Sequence, residues 1–192
     1  MSGLDDAPLV QADDRSSWRQ WLEANHATAR SAWLVMWRRR SGRVGLDYES
    51  AVEEALCFGW VDSTAGTVDD ERGKLYFAPR KPRSAWAATN KARVERLIAG
   101  GRMATAGLAA IKRAKANGSW AVLDSVERLE VPDDLATALA ARPPAADHFA
   151  AFPPSARKML LGWVAQAVRP ETRAARISET AEAAARNVRA RG

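Results

Sequence analysis

Residues 32–37 read Ala-Trp-Leu-Val-Met-Trp, six consecutive apolar positions with no polar face. Side chains alternate along a strand. Trp33, Val35 and Trp37 are therefore predicted on one side and Leu34 and Met36 on the other, and both sides need cover. The flanking segments follow a different period. Trp18, Trp21 and Leu22 fall at i, i+3, i+4, and Ala51, Val52, Ala55 and Leu56 form a second such stripe. A doubly buried strand between amphipathic helices calls for an α+β arrangement in layers. No apolar run in the chain approaches the roughly 18–20 residues that span a bilayer.

Local signals mark the element ends. Asp13 or Asp14 is placed to cap a helix running to Asn25, and Asp47 caps a second, which Gly59 ends. Glu49, Glu53 and Glu54 form the polar face of that second helix. Trp60–Thr64 and Lys74–Ala78 read as strands joined by a polar hairpin loop. Helices follow over 87–99 and 103–116, the second with a narrow face that includes Gly107, Ala110 and Ala114. From Pro132 onward the pattern is helical, over 133–141, 145–151, 155–168 and a last helix opened by Pro170. The predicted fold is α+β, a small antiparallel sheet of about three strands flanked by helices, with an all-helical C-terminal segment. The predicted organisation is a flexible N-terminal tail at 1–13, an α+β domain at 14–118 and a helical segment at 119–192 packed on it.

Charge is unevenly spread. The chain of 192 residues has a net charge of +6, yet residues 1–70 carry −5 and residues 71–118 carry +10. A basic block of this kind attracts anions. Hydrophobic residues at 47% and charged residues at 27% exclude disorder over most of the chain. One cysteine, Cys57, excludes an internal disulfide, and with only His26 and His148 beside it a Cys/His metal site is not expected. There is no phosphate-binding glycine loop and no nucleophile elbow, so no cofactor is called for.

The densest polar and aromatic cluster combines Trp60 and Asp62, on one face of a strand, with Arg80, Arg83 and Ser84 in a proline-stiffened loop and with Trp86 and Asn90 beyond it. An Asp62–Arg80 pair across the hairpin and a Ser84 cap on the next helix would lock this region. The same groups would also suit a ligand. Trp60 and Trp86 would supply an apolar wall, and Arg80, Lys81 and Arg83 an anion site. The expected partner is an anionic small molecule or a protein. A basic 71–118 face that binds nucleic acid through phosphates is a second reading. An enzyme using Cys57 or Ser84 is a third, which requires a base within reach of the nucleophile. The acidic, polar N-terminus does not read as a secretory signal, and a cytoplasmic location is expected.

Ala55-Leu56-Cys57-Phe58-Gly59-Trp60-Val61-Asp62, Pro79-Arg80-Lys81 with Ser84, Trp86 and Asn90, and Gly101-Arg102-Met103 with Gly107 resemble the bacterial YdeI/OmpD-associated, or bacteriocin-protection, family. Val131-Pro132-Asp133-Asp134-Leu135, Phe149, Arg157, Trp163-Val164 and Glu171-Thr172-Arg173 are similar to that family's helical C-terminal part. The resemblance spans most of residues 16–180. It implies a bacterial protein linked to envelope stress and protection from antimicrobial peptides. It carries over no catalytic residue.

Overall fold

The computed structural model describes residues 6–190, so the first five residues of the predicted tail and the last two of the chain lie outside the described residues. Two compact units make up the chain. One runs to Ser84 and resumes over Thr89–Asn117; the other comprises Ala85–Ala88 and the chain from Gly118.

In the first unit, Asp14 caps α1 (Arg15–Asn25), accepting the Ser17 amide, while the Ser17 hydroxyl closes a capping box. Asp47 caps α2 (Tyr48–Cys57) in the same way through Ser50. Gly59 turns the chain out of α2 at φ +75°, a conformation that glycine adopts without steric cost. The sheet has four strands rather than three, in the order β1-β2-β4-β3: β1 (Leu9–Gln11), β2 (Ala32–Trp37), β3 (Trp60–Thr67) and β4 (Arg72–Pro79). It is mixed rather than antiparallel. β1 pairs parallel to β2, whereas β2–β4 and β3–β4 are antiparallel. The strand the sequence reading missed lies at 9–11, within the supposed tail. Three residues are too short to show a period, and only Val10 is buried.

The register assigns the faces. Leu34 lies opposite Leu75 and Asp62 opposite Phe77. These residues share the face on which α1 and α2 pack. Trp18 stacks on Trp21, meets Phe77 at 5.3 Å and donates its indole N–H to the Ala51 carbonyl. The other face carries Trp33 opposite Tyr76, Val35 opposite Lys74, Trp37 opposite Arg72 and Val61 opposite Ala78. Here cations cover the aromatics. Lys74 Nζ lies 4.4 Å from the Trp33 ring centre, and the Arg43 guanidinium 4.4 Å from that of Trp37.

Two further helices, α3 (Ala88–Ala99) and α4 (Thr105–Ala116), follow the loop after β4. α4 meets the end of α2 through Gly107. An added Cβ there would lie 2.3 Å from the Cys57 carbonyl oxygen, so only glycine permits the approach. Ile98 in α3 is exposed, as is Met159 further on.

The helical unit contains α5 (Asp124–Glu127), α6 (Asp133–Ala140), α7 (Ala145–Ala151), α8 (Pro154–Ala165) and α9 (Pro170–Ala185). Its core joins Leu135, Leu139, Phe149, Leu160, Val164 and Ala181. The Arg173 guanidinium pairs with Asp134, tying α9 to α6 at 2.7 Å. Among the described residues no helix is long and apolar enough to cross a membrane.

Candidate functional site

β4 ends at Pro79, and the loop after it is held at several points. The Arg80 amide donates to the Gly59 carbonyl at 2.9 Å and the Ser84 amide to the Lys81 carbonyl at 2.9 Å. Asn117, at the end of α4, donates its side-chain amide to the Pro82 carbonyl at 2.7 Å. The loop thereby presents fixed side chains at the end of the hairpin.

Against it, on the sheet face that α1 and α2 leave open, lies a cavity of about 590 Å3 lined by Arg30, Val61, Ser63, Tyr76, Ala78, Pro79, Lys81 and Ser84. This volume lies in the range of small-molecule sites. Val61, Ala78 and Pro79 make an apolar floor. Ser63, Tyr76 and Ser84 supply hydroxyls. Arg30 and Lys81 supply two exposed cations, and among the described residues the lining holds no carboxylate. Such a lining suits an anion with a partly apolar body.

The predicted cluster is only partly gathered here. Ser84 lines the cavity, together with Lys81 from the predicted anion loop. Ser84 does not cap α3, which begins four residues later at Ala88; its hydroxyl accepts from Arg80 Nη2 at 3.4 Å instead. Arg80 itself is buried. Desolvation lowers its pKa to about 10 although the Asp62 charge acts to raise it. Arg83 is exposed and does not line the cavity.

Trp60 and Asp62 lie on the opposite face of the sheet. Trp60 is a core side chain, edge-on to Trp21 and bonded through Nε1 to the His26 carbonyl. Asp62 accepts the Tyr48 hydroxyl at 2.9 Å. Burial and this carboxylate both raise the Tyr48 pKa. Asn90 accepts from Arg93, which also clamps Glu49 at 2.6 Å. Trp86 belongs to the helical unit, where it is buried against Trp120 at 5.0 Å. Neither tryptophan forms the wall of an open pocket. Ser63 and Tyr76 are not singled out by the sequence because β-strand alternation names two faces without saying which one is open, and Arg30 sits in the loop before β2, which has no period to read. The signal was present in Val61 and Ser63, which alternate with Trp60 and Asp62.

Glu54 also departs from its expected solvent face. It is fully buried, and its carboxylate takes Arg15 Nε at 2.5 Å, Arg19 Nη1 at 2.8 Å and Arg102. Cys57, one turn on, is sealed in the core, where burial pushes its thiol up. His26 holds its Nδ1 against the Leu22 carbonyl at 2.8 Å and its ring against Phe58. His148 is half-buried and its Nδ1 lies against the Ala184 carbonyl.

Residues 10–110, more than half of the chain, match the family described as a domain of unknown function, DUF8412. The chain belongs to this family. The cavity and the Glu54 cluster both fall inside the DUF8412 segment, as do the Cys-Phe-Gly-Trp and Pro-Arg-Lys motifs. Residues 128–187 match a second family, described as bacteriocin-protection, YdeI or OmpD-associated. The resemblance to that family is thereby borne out over residues 128–187, a part of the chain. No curated protein and no solved structure matches the chain.

Proposed function

We propose that this chain is a non-enzymatic bacterial protection protein that senses or sequesters an anionic small molecule in the cavity on the open face of its sheet. The protective role comes from the bacteriocin-protection match at residues 128–187. The ligand class rests on one observation: a cavity of about 590 Å3 whose lining, among the described residues, combines Arg30 and Lys81 with three hydroxyls and no carboxylate. Arg30 and Lys81 hold the anionic group. Ser63 and Ser84 accept or donate at its edge, and Tyr76 with Val61 covers its apolar part. Arg80, buried behind Ser84, positions that hydroxyl.

A binding role agrees with the state of the two candidate nucleophiles. Cys57 is buried with a raised pKa, and the Ser84 hydroxyl is engaged by a cation rather than a base. The nucleic-acid reading loses some support because part of the basic block is paired. Arg93 and Arg96 bind Glu49, Arg96 also binds Glu53, and Arg102 binds Glu54.

Calorimetric titration of the full chain with inorganic phosphate and a panel of organic phosphates and carboxylates tests the proposal. Saturable heat is expected for at least one anion. Lys81→Ala and Arg30→Ala should each weaken it about tenfold, the scale of one charge-assisted hydrogen bond. No saturable heat with any anion, or affinity unchanged in both variants, overturns the proposal.

A further inference from the structure

The helical unit holds a second cavity, also of about 590 Å3, between α5, α8 and α9. Its apolar walls come from Leu123, Val126, Met159 and Trp163, and its polar groups from Glu127, Lys158, Gln166 and Arg176. Met159 is 44% exposed.

Gly162 shapes this cavity. It lies buried in the interior of α8, where glycine is less favourable than alanine. The backbone does not require glycine there, because its φ is not positive. Packing does not require it either. An added Cβ would meet Val126 Cγ1 at 3.7 Å and Gln166 Nε2 at 3.9 Å, both ordinary contacts. Gly107 is the contrast, since a Cβ there collides with backbone. The missing side chain at Gly162 leaves the cavity wall open.

The charged groups select the ligand. The Arg176 guanidinium lies 5.2 Å from the Trp163 ring centre and donates through Nη1 to the Trp163 carbonyl, which uses one of its five N–H groups. Lys158 pairs with Glu127, which offsets that carboxylate. The balance of the lining is cationic, beside an indole and a thioether. We infer that this cavity is a second ligand site, which takes an aromatic carboxylate with its ring against Trp163 and Met159 and its carboxylate on Arg176. The inference uses none of the residues of the sheet cavity and stands independently of it.

Titration of the full chain with indole-3-acetate and with its neutral amide, indole-3-acetamide, tests it. Binding is followed by calorimetry and by the indole N–H resonance of Trp163, assigned by its loss in Trp163→Phe. The acid should bind saturably and at least tenfold more tightly than the amide. It should shift the Trp163 resonance. Arg176→Gln should weaken it at least tenfold, and Gly162→Leu, which fills the cavity, should remove it, while Gly162→Ala retains it. If Gly162→Leu does not fold, the acid-to-amide ratio and Arg176→Gln decide. Lys81→Ala should leave this binding unchanged. Absence of saturable binding in the millimolar range, equal binding of acid and amide, or binding abolished by Lys81→Ala and kept in Arg176→Gln overturns the inference.

Discussion

Glu54 occupies a helix position that looks solvated when only its own helix is considered, since Glu53 and Glu49 flank it. Three arginines from α1 and from the turn before α4 close over it instead. A buried carboxylate is tolerated when its charge and lone pairs are met, and losing one side of such a cluster costs about 3 kcal/mol or more. Glu54→Gln should therefore lower the unfolding free energy by about that amount, measured by urea titration with an unchanged slope. Substitution of Glu23, whose pair with Arg19 is half-exposed, should change it by less than about 1 kcal/mol. Cys57 gives a second check at this scale. Its buried thiol should react with a thiol reagent at pH 8 far more slowly in the native protein than in denaturant. Fast native labelling would mean that the α2–α4 contact opens readily.

Helix ends were legible because their chemistry is local. Asp14, Asp47 and Gly59 each act within a turn of their own position, and the structure uses all three as the sequence suggests. The faces of β3 were not legible. Alternation separates Trp60 and Asp62 from Val61 and Ser63, but which pair meets a helix depends on α1, more than 30 residues away. The candidate site was accordingly sought on the packed side of its strand. Close helix contacts stand between these cases. The small-residue face of α4 announced tight packing, and only the structure names Cys57 as what it touches. Gly107→Ala should cost about 1–3 kcal/mol through that overlap, whereas Gly162→Ala should be neutral or stabilising. In the helical unit, Arg173 holds the Asp134 carboxyl below its usual range. A depressed acidic pKa contributes stability above the unfolded value and loses it as pH falls through the folded one. The α6–α9 contact should thus weaken below about pH 4. Asp134→Asn should remove that part of the pH dependence in circular dichroism melts.

At the scale of the whole chain, the +6 net charge conceals pairing between an acidic and a basic stretch far apart in sequence. Glu49, Glu53 and Glu54 lie in the acidic stretch, and Arg93, Arg96 and Arg102 in the basic one. Part of the charge that seemed available to a polyanion is thus met by carboxylates of the same unit. Glu49→Gln should release Arg93 from its carboxylate, leave Arg96 with Glu53 alone, and raise retention on an immobilised polyphosphate column, with elution moving to higher salt. Unchanged elution would mean that these arginines contribute little to the surface field.

The four-stranded sheet also has a temporal meaning. β3 and β4 are joined by a short turn, so their ladder closes over few residues. β2 must reach β4 across an intervening helix and strand, and β1 can pair only once β2 is in place. Loop closure disfavours distant contacts until nearer ones exist. Assembly should therefore proceed from the hairpin outward. In native hydrogen exchange, the amides of Leu9–Gln11 should exchange first and those of β4, paired on both sides, last, so the strand that joins the sheet last is the first to let water in.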